Sequence, residues 1–409
     1  MTAQLEKIVI AGASVAGTTV ADELRQGGFT GTITMLSDER HLPYDRPPLS
    51  KQMLSSDSTT EPIALRDPGH FVELGIDLLL GHGAAGLDID RRYVITTDGD
   101  PLPWDALVIA TGSRPRTVTT VAGESLPSLR TVEDVLAIRE AAAEYGRVTL
   151  VGSSFIGMEI AASLRSRGIE VTVFGAMDLP LNQGVGPEVA ADLRDLHLGH
   201  GTDLRLGALI VSVAGSRGNY ELTLADGSVH RTPYVISGIG IQPNTEWLIG
   251  SGVEPDPAFG GVLCNAAGRT NVPGIWAAGD VAQYDHPVLG PRAHVGHWTN
   301  AAQQARHVAA NILAAREDPY TAIPYFWTDQ FDRKIQCHGR RHPQDSSVVV
   351  EGSIESGEYL VLYGSAGNFH AVLSCGRDRS LRKYVKLLRR QASWDEALAE
   401  AGQLHSTGI

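Results

Sequence analysis

The chain has 409 residues, 43% of them apolar and 20% charged, with a formal net charge of −13. That length suits two or three domains around a sizeable core, and the composition sets aside fibres and disorder. The acidic balance argues against general binding to nucleic acid or anionic membranes, and no apolar run reaches the roughly 18 residues a membrane helix needs. The opening MTAQLEK leads straight into an apolar run without a signal-peptide layout, so a cytoplasmic setting is expected. Cys264, Cys337 and Cys375 are odd in number and far apart, which indicates neither a disulfide framework nor a thiolate metal site.

Lys7–Ala11 reads as a short buried strand, followed at once by Gly12-Ala13-Ser14-Val15-Ala16-Gly17 and a helical pattern to Arg25. Thr32–Leu36 reads as a second strand, ending in the acids Asp38 and Glu39. This is the order of a dinucleotide-binding βαβ unit. Gly12 permits the tight turn, Gly17 close packing of helix on strand, the helix N-terminus offers amides to a pyrophosphate, and an acid takes a ribose hydroxyl. Ser14 stands where a middle glycine is usual. Tyr44-Asp45-Arg46-Pro47-Pro48-Leu49-Ser50-Lys51 follows, then a polar stretch from Ser55 to Glu61. A helical segment is expected near Phe71–Leu74, and strands at Asp77–Leu80 and Tyr93–Thr96. Asp105–Thr111 is a further buried strand ending in Thr111-Gly112, where the chain returns to the dinucleotide.

The pattern then repeats. A helix is predicted over Val132–Tyr145 and a strand over Arg147–Val151, then Gly152-Ser153-Ser154-Phe155-Ile156-Gly157, a helix Met158–Arg167 and a strand Glu170–Phe174. A second βαβ unit some 140 residues after the first implies a second dinucleotide site, unless the copy survives for packing alone. Strands follow at 202–206, 209–213, 220–224 and 233–239, closing at Gly238-Ile239-Gly240. Asn271–Ala278 reads as a strand leading into a helix that starts at Gly279-Asp280, where a carboxylate is favoured and accepts polyol hydroxyls. A helix is expected over Ala301–Ala315, and strands at 348–351, 359–363 and 370–373 with a helix Leu381–Arg390 make a small α+β module.

The two glycine turns, the Ala110-Thr111-Gly112 strand end, YDRPPLSK, His297-Trp298-Thr299-Asn300 and Tyr325-Phe326-Trp327-Thr328-Asp329-Gln330-Phe331-Asp332 together resemble the oxygenase-coupled ferredoxin reductases, relatives of putidaredoxin reductase and apoptosis-inducing factor. The resemblance implies an α/β fold: two doubly wound Rossmann-like domains plus a C-terminal α+β domain. It divides the chain into an FAD domain (1–115 and 246–320), an NAD(P)H domain (116–245) and an interface domain (321–409). FAD is the implied cofactor and NADH or NADPH the electron donor. In the implied FAD site Gly12, Ser14, Ala16, Gly17, Thr111 and Gly112 cradle the dinucleotide and Asp38 takes the adenosine ribose. Ala84 and Arg130 line the adenine end, Arg46, Lys51 and Asp280 hold the pyrophosphate and flavin, and Pro47 and Trp298 lie against the ring. Lys51 pairs with Glu159 beside flavin N5, both being assigned a catalytic role. Gly152, Ser154, Ile156, Gly157, Gly175 and Gly240 belong to the nicotinamide coenzyme.

Two positions depart from the family pattern. Gly175 replaces the usual acid after the second unit's strand, and Gly296 the usual glutamate before His297-Trp298. Both fall on the coenzyme side. The absence of a C-x-x-C pair argues against the disulfide reductases that share the double glycine turn. His338, His342 and Arg340-Arg341 read as a solvated basic loop, and the basic residues around Leu381–Arg390 as a solvated helix face. From Thr321 onward there are 11 Lys/Arg against 10 Asp/Glu, so the acidic charge lies elsewhere. Such a module suits an acidic electron carrier, a ferredoxin or a rubredoxin, with Arg340, Arg341, Lys383 and Lys386 as its expected docking surface; a monomer or weak dimer is expected. The competing reading is a flavoprotein with a weakened nicotinamide site, acting as an NAD(P)H oxidase or a redox-sensing module.

Overall fold

A computed structural model describes residues 5–56, 61–365 and 367–406. Most of the polar stretch between Ser55 and Glu61 therefore lies outside the described residues. The chain folds into two compact units built from interleaved segments. One takes the chain up to Asp45, Pro62–Arg114 and Ile241–Ala322; the other takes Arg46–Glu61, Pro115–Gly240 and everything from Ile323 onward.

In the first unit, strand β1 (Lys7–Ala11), helix α1 (Val15–Gln26) and strand β2 (Thr32–Ser37) form the expected βαβ motif. The sheet is five-stranded, with Ile275–Ala277, Ala106–Ile109, β1, β2 and Ile76–Leu80 in that order and all parallel. Ile8 and Ile10 on one face of β1 pack with Val20, Leu24, Val308 and Ile312 of α1 and the helix Trp298–Ala314. Val9 and Ala11 on the other face join Trp104, Trp247 and Tyr284. Burial on both faces is what a near-continuous apolar strand requires.

Gly17 shows why helix and strand lie so close. A Cβ there would stand 1.8 Å from the Gly12 carbonyl oxygen. Gly12 itself has φ +109°, and its Cβ would stand 2.2 Å from the Ala110 carbonyl. Neither position accepts a side chain without moving backbone.

In the second unit, strand β3 (Arg147–Val151), helix α2 (Phe155–Ser166) and strand β4 (Glu170–Gly175) repeat the motif. They sit in a four-stranded parallel sheet ordered Asp203–Leu206, β4, β3, Val235–Ser237. A helix that the sequence pattern did not reveal, α3 (Pro187–Gly199), follows. Its buried stripe is Val189, Ala190, Leu193 and His197. A histidine on the apolar face breaks the periodicity that signals a helix.

The C-terminal part is a five-stranded antiparallel sheet ordered β5 (Tyr325–Gln330), Arg333–Gly339, Asn368–Cys375, Glu358–Ser365 and Ser346–Ser353. Helix α4 (Asp378–Arg389) and a final helix Trp394–Ser406 cover it. The first two strands and the last helix go beyond the elements expected from the sequence; in the first strand, YFWTDQ, polar and aromatic residues do not alternate by hydropathy. The fold is α/β with two doubly wound units and an α+β module.

Three expectations are corrected. Gly279-Asp280 does not start a helix. The chain bends at Gly279 (φ +81°) and enters the strand Ala282–His286, drawn in by buried Val281, Ala282 and Tyr284. The helix expected from Ala301 begins at Trp298. His338 is not in a solvated loop either. It lies in the strand Arg333–Gly339 with its ring 4.4 Å from that of Tyr325, and burial lowers its pKa to about 4.

The Gly17 contact is directly testable. Gly17→Ala should cost about 1–3 kcal/mol through overpacking, more than the ~1 kcal/mol alanine gains in a helix. Gly402→Ala, in a helix with open space around it, should be neutral or stabilising. Urea denaturation midpoints of the two variants check this, and equal midpoints would show that the Gly17 packing is slack.

Candidate functional site

In the first unit the βαβ turn and the Thr111-Gly112 turn are brought together. The Cβ position of Gly12 lies 2.9 Å from Thr111 N, and Gly12 N donates to Leu36 O at 3.0 Å. Thr111 is held by Asn244, donating to its carbonyl at 2.8 Å and accepting from its side-chain amide at 2.9 Å. Asn244 gave no sequence signal, since its partner lies 133 residues away. Ser14 is the N-cap of α1 and makes no capping hydrogen bond with its side chain, while Ala16 and Gly17 are buried in the first turn.

Asp38 emerges from β2 exposed, with its pKa raised by the surrounding protein and by Glu39. Its carboxylate occupies the space a side chain at residue 83 would need: a Cβ on Gly83 would lie 1.5 Å from Oδ1. Asp38 and Ala84 are thereby neighbours. Asp280 accepts from Ser113 Oγ at 2.9 Å, and its carbonyl meets His294 Nε2 at 2.9 Å. A serine hydroxyl, rather than a helix terminus, therefore orients this carboxylate. Trp298 is the first residue of its helix and partly exposed. A Cβ on Gly296 would press on His294 and Ile241 at 3.1 and 3.3 Å.

This cradle of bare backbone, with one exposed carboxylate at the strand end and a second held by Ser113, fits a dinucleotide carrying a polyol. The glycines let strand, turn and helix pack closely enough to bring the helix start and the Thr111-Gly112 turn to one place.

The second unit holds Arg46, Pro47, Lys51, Arg130 and the second glycine turn. Pro47 opens the short 3₁₀ turn Pro47–Ser50, and Arg46 Nη1 donates to the Arg130 carbonyl at 2.7 Å. Arg130 precedes Thr131, whose capping box with Asp134 starts the helix Val132–Tyr145.

At the centre of this unit lies Glu159, on α2 and only 5% exposed. Its Oε2 accepts from Lys51 Nζ at 2.9 Å and Ser50 Oγ at 2.6 Å. Its Oε1 accepts from Thr328 Oγ1 at 2.7 Å and Asp329 N at 3.3 Å. Lys51 Nζ also lies 3.8 Å from Asp329. A carboxylate is acceptor-only, and here both oxygens are served twice. Ser50, Thr328 and Asp329 lie within YDRPPLSK and YFWTDQFD but carry no sequence signal of their own as site residues.

The second glycine turn repeats the first in backbone. Gly152 has φ +115°, and its Cβ would lie 2.3 Å from Gly238 O. It differs in chemistry. Ser154 Oγ accepts from Gly157 N at 3.4 Å and donates to Gly238 O at 2.8 Å, occupying one amide of the helix start. Ile156 is exposed in the first turn. Gly175 is buried, and a Cβ there would lie 2.6 Å from Ser153 Oγ and 2.9 Å from Leu206 Cδ2. Ser153 thus fills the space from which an acid would extend. Gly240 has φ +108°. Asp178 is exposed nearby in sequence.

Residues 6–305 match the model of the pyridine nucleotide-disulphide oxidoreductases, and residues 325–404 that of the reductase C-terminal domain. The chain belongs to the pyridine nucleotide-disulphide oxidoreductases. Within that family it is similar to rhodocoxin reductase of Rhodococcus erythropolis, 34% identical over 87% of this chain and 82% of that one. It is 35% identical to the ferredoxin--NAD(+) reductase component of the p-cumate 2,3-dioxygenase system of Pseudomonas putida, over 93% and 94%. Among solved structures, that of the covalent putidaredoxin reductase–putidaredoxin complex aligns with a TM-score of 0.87 at 30% identity, over 94% of this chain and 93% of that one. The expected kinship with ferredoxin reductases of oxygenase systems is therefore met. In this pyridine nucleotide-disulphide oxidoreductase the cysteines are all buried and free. Burial pushes the Cys337 and Cys375 thiols up to about 12 and 11, so neither is a reactive thiolate at neutral pH. Among the described residues no helix is long and apolar enough to cross a membrane, and no three His, Cys, Asp or Glu could hold a metal ion.

The strength of the Lys51–Glu159 contact is measurable by a double-mutant cycle on folding stability, with Lys51→Met, Glu159→Gln and both together. A coupling of about 1–3 kcal/mol is expected for contacting, mostly buried groups. Additive effects would show Lys51 to be a solvated charge.

Proposed function

We propose that the chain is an FAD-dependent reductase that accepts hydride from NAD(P)H and passes electrons singly to a small [2Fe–2S] protein serving an oxygenase. One hydride carries two electrons, so each coenzyme oxidised reduces two carriers and releases one proton. The observation that carries this reading is Glu159, held by four donors at the start of the second dinucleotide motif and paired to Lys51. That motif-bound pair matches the arrangement the family resemblance assigns to flavin N5. The redox step itself would be supplied by FAD. Gly12, Ser14, Ala16, Gly17, Thr111 and Gly112 would bind its pyrophosphate region, Asp38 and Ala84 its adenosine, and Asp280 its ribityl chain. Arg46, Arg130, Pro47 and Trp298 take the roles the resemblance gives them. Lys51 would hold positive charge near N5.

The division into an FAD domain, an NAD(P)H domain and an interface domain is proposed on the same ground. The partner is proposed to be acidic. Arg379, Arg382, Lys383, Lys386 and Arg389 on α4, and Arg390 just past its end, are all exposed, while the apolar stripe of α4 is buried. Trp327 pairs in register with Gln336, which donates to Asp378 at the start of α4. Arg341 is a weaker contributor than expected, because its guanidinium is engaged by the Asn182 and His342 carbonyls.

The purified protein should be yellow, with heat-released flavin chromatographing as FAD. NADH or NADPH should bleach it, and added ferredoxin should then be reduced. Asp280→Ala should weaken flavin retention by about 1.5–3 kcal/mol, the worth of a hydrogen bond to a charged group. Colourless protein that takes up no FAD would falsify the proposal. Bleaching without onward transfer would point to the NAD(P)H oxidase reading.

Coenzyme choice follows from Ser153, Ser154 and Gly175. Without an acid at 175 the usual ribose acceptor and its repulsion of a 2′-phosphate are missing, and 176–184 contains no arginine to recognise one; the exposed Asp178 is the one acid there, and its swinging in would give NADH a modest preference. Weak discrimination is expected, with affinity reduced roughly ten- to hundredfold by the lost contact. Gly175→Glu alone should gain little, because Ser153 occupies its path; Ser153→Gly with Gly175→Glu should tighten NADH selectively. Stopped-flow bleaching across coenzyme concentrations decides, and tight, selective NADH use by the unaltered protein would count against it.

A further inference from the structure

Three fully buried polar side chains lie behind Glu159 in the same unit. Thr328 and Gln330 are 0% exposed on β5, and His197 is 0% exposed on α3. Gln330 Nε2 lies 2.8 Å from Thr328 Oγ1, and Gln330 Oε1 lies 2.9 Å from His197 Nε2. His197 Nδ1 lies 3.4 Å from Thr202 Oγ1, itself 2% exposed. With the 2.7 Å contact of Thr328 Oγ1 to Glu159 Oε1, these form an unbroken line from imidazole to carboxylate.

The line can run in one direction only. The carboxylate has no proton to give, so the Thr328 hydroxyl must donate to it. That hydroxyl is then an acceptor toward Gln330, which must present its NH₂ group. The Gln330 carbonyl consequently faces His197, and Nε2 must carry the hydrogen. Nδ1 is left to accept from Thr202. Reversing any one member would set two acceptors or two donors face to face in a site without water access, at the cost of a buried unsatisfied group.

We propose that Thr328, Gln330 and His197 are positioning residues for the Lys51–Glu159 pair, forming a one-way hydrogen-bond chain that turns Oε1 inward and reserves Oε2 for Ser50 and Lys51. His197 terminates this chain, its Nε2–H supplying the donor that the Gln330 carbonyl requires. Burial lowers the His197 pKa to about 4, which keeps the ring neutral at physiological pH. Phe331 closes the end of the chain, its ring edge-on to His197 at 4.8 Å and stacked on His200 at 3.8 Å. The alternation of β5 explains the motif: Phe326, Thr328 and Gln330 are buried while Tyr325, Trp327 and Asp329 are half-exposed. Its consequence for flavin reduction rests on the reductase reading above; the chain itself does not.

Two measurements on the full-length protein test it without flavin or coenzyme turnover. Nitrogen-15 NMR of histidine-labelled protein should show His197, assigned by its loss in His197→Gln, as the neutral Nε2–H tautomer; an Nδ1–H tautomer overturns the proposal. Competitive acylation followed by peptide mass spectrometry should show Lys51 roughly fivefold more reactive in Gln330→Met and in Thr328→Val, the weight of about one hydrogen bond. Lys334 and Lys383 serve as internal references. His197→Gln retains an N–H donor near the same place and should keep Lys51 at its native reactivity, whereas His197→Phe should raise it. Unchanged Lys51 reactivity in both Gln330→Met and Thr328→Val overturns the proposal, and should either variant fail to fold, the His197 tautomer still decides. Flavin bleaching by coenzyme, slowed in the same variants, is the third readout. If the unaltered protein is not bleached at all, the reductase reading fails while the first two results stand.

Discussion

A carboxylate buried in protein must be surrounded by donors, and much of the second unit is arranged to meet that demand at Glu159. Its four donors come from two segments far apart in sequence, Ser50-Lys51 and Thr328-Asp329. Neither segment could leave without stranding the charge. The requirement explains why the loop after YDRPP and the first strand of the C-terminal sheet pack with the second dinucleotide motif in one compact unit. Further contacts follow the same lines. Ser163 Oγ donates to the Ser50 carbonyl at 2.6 Å, Phe155 packs on Phe326, and Asp192 of α3 receives Arg333 and Tyr359.

The duplicated glycine turn shows one backbone solution put to two uses. In both copies the first glycine takes a φ above +100° and the last admits no Cβ, so the geometry of strand, turn and helix is preserved. The copies diverge in what the serines do. Ser14 makes no capping bond, whereas Ser154 caps its own helix and Ser153 fills the space beside Gly175. The first helix start has no side-chain cap from Ser14, while the second has one amide satisfied by Ser154. The loose coenzyme selectivity proposed above rests on Gly175 and the Ser153 side chain beside it, with the fold of the motif unchanged.

Charge is distributed to match. The last ninety residues are nearly neutral while the rest of the chain is strongly acidic, and the cationic residues of α4 point away from a wholly apolar stripe. The acidic electron carrier proposed above would meet less repulsion at this module than elsewhere, since electrostatics selects orientation more than affinity.

Both βαβ motifs, the buried strand that leads to Thr111-Gly112 (Ala106–Ile109, ending two residues sooner than expected) and the α+β character of the C-terminus were legible in the sequence, because glycine turns and apolar runs are local signals. So was the pairing of Lys51 with Glu159, through resemblance alone. Helix α3 escaped because a buried histidine interrupts its stripe, and the Gly279-Asp280 turn misled because a strand, not a helix, follows it. Thr328, Gln330 and His197 carried no local signature: each is an ordinary polar residue until the fold sets them 2.7–2.9 Å apart in the order carboxylate, hydroxyl, amide, imidazole. The sequence by itself determined where the two strand–glycine turn–helix motifs lie, since glycines and apolar runs are local along the chain. Only the tertiary structure decided which polar groups share a buried hydrogen bond, since that depends on the meeting of segments more than a hundred residues apart.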